Sequence, residues 1–359
     1  MKYPKAIIDT QALNHNIKLI RKLAPHSKII AVVKANAYGH GLIEVSRAIY
    51  SNVEGIGVAR IAEAERLRDA GIENNILLLE GFLGAVELFK LNELKLSTAV
   101  NSFEQVELIE RYNDNLHNLN IWIKFNTGMN RLGLDPQEVL EVKARLAKLS
   151  CVKEINLMTH LANADDLTKN DYTHYQLNKY NDVSDKLQIG RSISASSGVL
   201  YFPETRTEWI RPGIIMYGIS PNNTPIKDLG FKPAMHLETT ILQIVKLKAG
   251  QILENTDFQA SQDTYIGVIA LGYGDGYPHT APAGTPFLIN GRLVELVGKV
   301  EVDTICVNLG PELVDKVGDK VTVFGNDLPV EQVAQYINVI NYEMTTALTA
   351  RVKHEFKIN

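Results

Sequence analysis

The residue whose type and position most clearly suggest a chemical role is a lysine at the end of an apolar run. Residues 29–33 read IIAVV, the pattern of a strand buried on both faces, and Lys34 follows directly. A lysine is rarely buried unless it has a partner or a chemical role. Gly39 and Gly41 then let the backbone approach a ligand closely, before a helix predicted to begin near Leu42. The pattern indicates an anion-binding site with a reactive amine beside it.

Two kinds of chemistry use a lysine in such a setting. A Walker A loop binds nucleotide phosphates, but its lysine follows the glycines, whereas Lys34 precedes Gly39. The other chemistry is a Schiff base between the lysine amine and the carbonyl group of a cofactor, for which pyridoxal phosphate is the common case. The order of the residues therefore favours a Schiff-base lysine.

Further polar and cationic residues stand where other apolar runs end. They are Lys124, Arg131, His160, Ser196 and Arg211. In a barrel of parallel strands the carboxyl ends meet at one face, which is where such enzymes keep their active sites. We therefore expect these side chains and Lys34 to collect at one end of the fold.

The elements that must position these residues alternate in the order strand, helix. Strand-like runs occupy residues 29–33, 55–59, 76–80, 95–100, 120–125, 154–160, 191–196 and 209–218. Amphipathic segments that predict helices lie between them. One ends at Gly71 as its C-cap, one has Ser102 as its N-cap, and one has Asp135 before Pro136 at its first helical position. Eight such pairs in succession predict the α/β class, with an N-terminal (β/α)8 TIM-type barrel.

The alternation of strands and helices ends after about residue 222. Strand-like runs 237–248, 264–274, 285–300, 304–310 and 320–325 follow one another, and Asn290-Gly291 is a hairpin signal. Short helices are predicted at 330–337 and within 342–350. We expect a barrel domain over residues 1–225 and a C-terminal all-β domain over 226–359. The first residues are expected to form a strand that is able to join the β domain, followed by a helix.

Composition narrows the class of protein. The chain has 359 residues, 45% of them hydrophobic and 22% charged, with a net charge of -4, so nothing marks it as binding nucleic acid or an anionic membrane. No apolar run has the length of a signal segment or a membrane span. Cys151 and Cys306 stand far apart in apolar surroundings, which favours free thiols over a disulfide or a metal site. We expect a cytoplasmic protein without a metal.

The segment AVVKANAYGHG around Lys34 resembles the cofactor-lysine motif of bacterial alanine racemases, enzymes of fold type III that depend on pyridoxal phosphate. The resemblance extends from Ala6 nearly to Val352. It implies that Lys34 carries pyridoxal phosphate as a Schiff base. It also implies interconversion of L-alanine and D-alanine, which supplies D-alanine for peptidoglycan.

In the segment WIKFNTGMNRLG, the resemblance implies that Arg131 contacts the cofactor and the substrate carboxylate, a task suited to a planar donor fork. Lys124 matches a lysine that is often carbamylated in the family and that orients this arginine. Asn126 stands where the family usually has Asp.

The same resemblance assigns cofactor contacts along the chain. His160 matches a histidine behind the cofactor that hydrogen-bonds an arginine, and Arg211 matches the arginine facing the pyridine nitrogen. Because a guanidinium does not readily surrender a proton, that nitrogen stays unprotonated, which favours racemisation over side reactions. The implied phosphate contacts are Tyr38, Ser196, Gly213, Ile214 and Tyr342.

In the β domain, the segment LGYGDGYPHTAP resembles the family's catalytic tyrosine motif and identifies Tyr273. Asp303 and Val302 match the loop at the substrate end, with Val302 in place of the usual methionine. The resemblance implies a homodimer in which Lys34 of one chain and Tyr273 of the other act as two bases on opposite faces of the substrate.

Three alternatives stay open. A fold-related decarboxylase is disfavoured because Cys306, the candidate for its catalytic cysteine, lies within an apolar run. A racemase that acts on a broader set of amino acids is a further alternative. A non-catalytic protein of pyridoxal phosphate homeostasis is disfavoured because such proteins consist of the barrel alone.

Overall fold

A computed structural model describes residues 3–253 and 256–357 of the chain. The chain folds into two compact units. The barrel unit comprises Asn16–Ala37 and Gly41–Met216. The β unit comprises the residues up to His15, the short segment Tyr38–His40 and the residues from Tyr217 onwards. The domain boundary drawn from the sequence between residues 225 and 226 stays a prediction.

The described residues form sixteen strands. They are β1 Lys5–Asp9, β2 Lys28–Val32, β3 Gly55–Val58, β4 Asn75–Leu78, β5 Ser97–Val100, β6 Leu119–Lys124, β7 Val152–Met158, β8 Gly190–Ser192, β9 Trp209–Ile210, β10 Met235–Leu247, β11 Thr264–Ile269, β12 Pro286–Ile289, β13 Arg292–Val297, β14 Ile305–Gly310, β15 Lys320–Phe324 and β16 Lys353–Lys357.

Strands β2 to β9 form a closed barrel in sequence order, and each neighbouring pair is parallel. The predicted TIM-type barrel is therefore confirmed. A buried cluster of Ile30, Leu77, Ala99, Trp122 and Met158 joins strands β2, β4, β5, β6 and β7. Nearly continuous apolar runs suit these strands because both of their faces are covered.

A right-handed α-helix follows each of the barrel strands β2 to β8. The helices of the described chain are Thr10–Leu23, Leu42–Ile49, Ile61–Asp69, Gly84–Glu93, Phe103–Arg111, Pro136–Leu146, Asn170–Ser184, Ser196–Tyr201, Val330–Ile337 and Glu343–Thr346. Pro136 begins its helix as expected, and the Glu138 carboxylate accepts the Asp135 N–H at 2.8 Å. Ser102 lies at the predicted N-cap position, but its side chain makes no capping hydrogen bond to the helix backbone.

The last barrel strand is shorter than the sequence suggested. The predicted run of residues 209–218 forms a strand only over Trp209–Ile210, and a 3-10 turn occupies Ile214–Tyr217. Pro212 explains the difference, because proline has no N–H to donate to a strand ladder. The shortened strand leaves Arg211 immediately beyond the barrel.

The β unit contains one eight-stranded sheet in the order β11-β14-β13-β12-β15-β10-β1-β16, with a further pairing of β11 and β10. As expected, the first strand joins this sheet, antiparallel to β10 and parallel to β16. Asn290 and Gly291 have φ angles of 49° and 79° and connect β12 to β13, which confirms the hairpin. In the described part of the chain, no helix is long and apolar enough to cross a membrane.

Gly39 of the β unit packs directly against the backbone of Thr345. Its φ is 85°, and an added Cβ would lie 1.9 Å from the Thr345 carbonyl oxygen. We expect Gly39→Ala to lower the free energy of unfolding by about 3 kcal/mol or more, as backbone strain combined with a steric clash does. Urea denaturation followed by circular dichroism measures the change.

Gly71→Ala provides the matched control. Gly71 has a similar φ of 79° but no atom within 4 Å of an added Cβ, so only the strain of the backbone angle remains. That strain corresponds to a loss of about 1 kcal/mol. Equal losses for the two variants would contradict the proposed clash.

Candidate active site

Lys34 begins a turn of unusual backbone conformation at the carboxyl end of β2. The four residues that follow have φ angles between 51° and 56°, so Ala35 to Tyr38 form a left-handed helical turn. Each such residue with a Cβ costs about 1–2 kcal/mol relative to right-handed helix. Within the barrel unit the turn is held by Asn36, whose backbone oxygen accepts the Gly41 N–H at 2.9 Å and whose side-chain oxygen accepts the Leu42 N–H at 3.0 Å.

The Lys34 amine lies among charged groups of both signs. Burial lowers its pKa, and the positive charges of Arg131 and Arg60 act in the same direction, while Glu80 and Glu63 raise it. A lowered pKa increases the neutral fraction of the amine, which is the form that attacks a carbonyl group. The environment therefore favours a nucleophilic lysine.

Lys124, Arg131 and His160 line one pocket of the barrel unit. Lys124 is the last residue of β6 and donates to the Leu79 carbonyl oxygen at 3.2 Å. Arg131 lies in the exposed loop beyond the strand, and His160 follows β7. Burial, followed by the charges of Arg211 and Arg131, lowers the pKa of His160 to about 3, so this histidine is neutral at physiological pH.

Lys124 is a buried lysine that lies among other positively charged side chains. Burial lowers its pKa to about 8, and the charges of Arg211 and Arg131 act in the same direction. A lysine in the unfolded chain has a pKa of about 10.4. Between about pH 8 and that value the unfolded chain binds more protons than the folded chain, so the free energy of unfolding rises with pH. We expect Lys124→Met to raise the free energy of unfolding of the cofactor-free protein by ~1–3 kcal/mol at pH 7, with a gain that shrinks towards pH 10.

Urea denaturation at pH 7 and pH 10, in buffer without bicarbonate, measures this gain. Lys153→Met on the exposed part of β7 is the control, because it removes a lysine that faces solvent. A carbamylated Lys124 would be an anion beside two arginines. In that case Lys124→Met would lower stability at pH 7, which would contradict the expected gain.

Arg211 lies directly after β9 and is 4% exposed. Its guanidinium donates to the Ser192 hydroxyl and to the Thr159 carbonyl oxygen, both of which are neutral acceptors. Burial lowers its pKa to about 10, which still leaves it charged at neutral pH. The barrel thus holds a fixed, buried cation at its mouth.

Ser196 begins the helix Ser196–Tyr201, and its hydroxyl oxygen accepts two backbone N–H groups. The donors are Gly213 at 3.0 Å and Ile215 at 3.4 Å. The structure therefore brings the predicted phosphate contacts Ser196 and Gly213 together, and it places Ile214 at the start of the adjacent 3-10 turn.

Tyr38 and Tyr342 belong to the β unit and lie close together there. The Tyr38 ring centroid is 5.9 Å from that of Tyr342 and 5.3 Å from that of Tyr217. His40 packs on Tyr217 at 4.5 Å, and the His354 ring nitrogen is 2.7 Å from the Gly39 carbonyl oxygen. Burial raises the pKa of Tyr38 to about 12, so its phenol stays protonated and able to donate.

Tyr273 begins a 3-10 turn, Tyr273–Asp275, soon after β11, and is 42% exposed. Its N–H donates to the Glu301 carbonyl oxygen at 3.0 Å, while the Asp275 carboxylate accepts the Gly272 N–H at 2.9 Å. The Asp275 carboxylate therefore supports the turn. The phenol ring meets the His279 ring edge to face, with centroids 5.2 Å apart.

Val302 and Asp303 border the same turn. The Gly274 N–H donates to the Val302 carbonyl oxygen at 2.9 Å. Arg351 pairs with Asp303 at 2.7 Å and with Asp275 at 3.2 Å, so one guanidinium ties the Asp303 loop to the tyrosine turn. Tyr273, Val302 and Asp303 are thus neighbours in the β unit.

Sequence reasoning missed two acidic residues next to Lys34. Glu63 and Glu80 both act on the Lys34 amine, and neither stands in a motif that marked the site. A signal for Glu63 was present, because a glutamate at the third position of a helix commonly caps that helix. No sequence signal pointed to the left-handed turn, since alanine at Ala35 and Ala37 disfavours a positive φ.

Comparisons with known proteins agree along the whole chain. The family model of the alanine racemase N-terminal domain matches residues 8–221, and that of the C-terminal domain matches residues 234–356. An alanine racemase of Haemophilus ducreyi is 44% identical over 375 residues, which cover 99% of this chain and 100% of that protein. A biosynthetic alanine racemase of Escherichia coli is 43% identical, with 99% of each chain covered.

Solved structures give the same result. The biosynthetic alanine racemase of Pseudomonas aeruginosa superposes with a TM-score of 0.95 at 36% identity, covering 100% of both chains. The alanine racemase of E. faecalis superposes with a TM-score of 0.90 at 28% identity, covering 99% of this chain and 98% of that chain. With both family models matched and relatives above 40% identity over its full length, this chain belongs to the alanine racemase family.

Proposed function

We propose that this protein is a pyridoxal phosphate-dependent isomerase that interconverts L-alanine and D-alanine. The observation that carries the proposal is Lys34, an amine of lowered pKa at the carboxyl end of a barrel strand, in a chain whose full length matches alanine racemases. The product, D-alanine, is a peptidoglycan precursor. A cytoplasmic location is part of the proposal and suits two free cysteines, Cys151 and Cys306.

The residues of the barrel unit fit pyridoxal phosphate. An amine is present for its aldehyde, the buried cation Arg211 suits the ring nitrogen, and the Ser196 hydroxyl with the Gly213 and Ile214 backbone suits the phosphate. When bound, this cofactor supplies an electron sink that stabilises the carbanion left when an α-proton departs. The phosphate roles of Tyr38 and Tyr342 in the β unit stay predictions.

Arg211 supports racemisation in preference to other outcomes. Its guanidinium remains charged at neutral pH, which means that it keeps its protons. It therefore does not transfer a proton to a ring nitrogen beside it. The Ser192 hydroxyl and the Thr159 carbonyl oxygen fix its orientation. Arg131 is assigned to the substrate carboxylate, for which its planar fork is suited.

Racemisation requires a proton to leave one face of the α-carbon and another to arrive on the opposite face. Lys34 is assigned to the D-alanine face and the partner subunit's Tyr273 to the L-alanine face. The proposal therefore includes a homodimer with shared active sites. The exposure of Tyr273 at the start of a hydrogen-bonded turn supports this assignment, because its phenol is available to another chain.

The decarboxylase alternative has little support. Cys306 lies within β14, and burial raises the pKa of its thiol, so it is a poor nucleophile and a poor proton donor. The barrel-only class of cofactor-binding protein is disfavoured by the large β unit, which the family model of the C-terminal domain matches over residues 234–356.

The test is an assay of the protein loaded with pyridoxal phosphate, started separately from pure L-alanine and from pure D-alanine. Because enantiomers have equal free energies, both reactions are expected to end in equal amounts of the two. Release of carbon dioxide or an amine, or loss of optical rotation with larger amino acids but not with alanine, would overturn the proposal.

A further inference from the structure

The left-handed turn after Lys34 starts at the peptide bond between Lys34 and Ala35. Ala35 has a φ of 52°. The orientation of this peptide sets the direction in which the Lys34 side chain leaves the backbone. Such a conformation persists only where surrounding groups hold it in place. The group that binds the Ala35 N–H is therefore the one best placed to aim Lys34.

That group is the Glu63 carboxylate, which accepts three backbone N–H groups from two segments. Its Oε1 accepts the Ala35 N–H at 2.7 Å. Its Oε2 accepts the N–H groups of Ala59 at 2.9 Å and Arg60 at 3.0 Å. One side chain thus ties the turn after β2 to the chain that leaves β3.

Helix capping explains only part of this arrangement. Glu63 stands at the third position of the helix Ile61–Asp69, where a glutamate commonly accepts the N–H before the helix. Glu138 makes that bond to Asp135 in the helix Pro136–Leu146. The bond from Ala35 comes from a different segment, 28 residues away, and has no place in a capping box.

We propose that Glu63 is a positioning residue for Lys34, which fixes the Lys34–Ala35 peptide so that the amine faces the cofactor aldehyde. This inference rests on the proposed function and deepens it. A carboxylate is required, because both oxygens act as acceptors, whereas a glutamine amide has one acceptor oxygen and a nitrogen that only donates. With glutamine, either the turn or the helix cap loses its acceptor.

The test compares wild-type protein with Glu63→Gln, and uses Glu138→Gln as the matched control, because the glutamine oxygen is still able to accept the single N–H of Asp135. Cofactor-free protein is mixed with pyridoxal phosphate, samples are fixed with borohydride over time, and peptide mass spectrometry locates the modified lysine. Glu63→Gln is expected to slow modification of Lys34 by about tenfold, the factor that a hydrogen bond to a charged group contributes. Glu138→Gln is expected to react like wild type.

A steady-state measurement separates positioning from general weakening of the fold. Glu63→Gln is expected to lower kcat by about tenfold with little change in the KM for alanine, because Lys34 acts in the reaction and not in substrate binding. The two variants should have similar melting temperatures, since each amide keeps one acceptor oxygen at the third position of its helix. Equal effects of both variants on Lys34 modification would overturn the inference, as would modification of Glu63→Gln at the wild-type rate.

Glu63→Asp is a second variant for the case in which glutamine prevents folding. It keeps the charge but is one methylene shorter, so it is too short to reach Ala35 while it holds the cap. Slower modification of Lys34 in this variant supports positioning, and wild-type rates would show that charge alone matters and overturn it. If wild-type protein is never modified at Lys34, the proposed function itself fails, which the wild-type sample reveals separately.

Discussion

Lys34→Ala is expected to abolish racemisation, with a loss of at least about ten-thousand-fold in kcat, because the variant lacks both the cofactor-binding amine and one of the two bases. The borohydride-fixed pyridoxyl group should disappear from the peptide that contains residue 34. The lowered pKa of Lys34 sets it apart from a solvated surface lysine.

Lys28→Ala is the matched control. Lys28 begins the same strand at its opposite end, where its amine lies 5.0 Å from the centre of the Trp209 ring. Its replacement removes a lysine from β2 without touching the carboxyl end, so activity and cofactor attachment should stay at the wild-type level. A Lys34→Ala protein that still carries the fixed group would show that another lysine binds the cofactor.

Tyr273→Phe is expected to separate the two directions of the reaction. The variant removes one phenolic oxygen from an exposed side chain and leaves the turn, which is held through backbone N–H groups and Asp275, in place. Cofactor binding should therefore be unchanged. Exchange of the α-proton of L-alanine should fall by about 100-fold or more relative to exchange of D-alanine, the factor expected for loss of a general base.

Exchange is measured by NMR in deuterated water, starting from each enantiomer. Tyr277→Phe is the control within the same motif. Tyr277 is 2% exposed, and in the described part of the chain its buried hydroxyl has no hydrogen-bond partner, so its loss should leave activity intact. Equal losses of exchange for both enantiomers in Tyr273→Phe would contradict the assignment of faces.

Mixing the two inactive variants tests whether the sites are shared. In a mixed dimer of Lys34→Ala and Tyr273→Phe chains, one site receives both substitutions and the other receives none. Random exchange of equal amounts then restores about a quarter of the wild-type sites, because half of the dimers are mixed and each has one intact site. No recovery after verified subunit exchange would contradict a site built from Lys34 and the partner subunit's Tyr273.

Much of the fold could be predicted because it depends on local patterns. Apolar runs separated by amphipathic segments specify parallel strands with covered faces, and the eight runs did form the closed barrel. Proline marked the start of the helix Pro136–Leu146 because its ring fixes φ, and Asn290-Gly291 marked a hairpin because both residues tolerate a positive φ. The run at residues 209–218 forms a strand only over Trp209–Ile210, because Pro212 has no N–H to donate to a strand ladder.

The positions of the candidate site residues also followed from the sequence, because the carboxyl ends of all eight parallel strands lie at the same face of a barrel. That argument placed Lys34, Lys124 and Arg211 at strand ends, where the structure has them. The lowered pKa values of Lys124 and His160 did not follow from it. They depend on burial together with several cations from different strands, and residue types alone do not reveal those distances.

The sequence by itself determined the barrel, the β sheet and the candidate for a reactive lysine, because strand periodicity and short motifs act over a few residues. Only the tertiary structure decided the left-handed turn from Ala35 to Tyr38 and the carboxylate that holds it. Alanine does not favour a positive φ locally, so the conformation is imposed by hydrogen bonds from residues far along the chain, among them Glu63. Such bonds exist only after the strands have assembled, which is why no local pattern announced them.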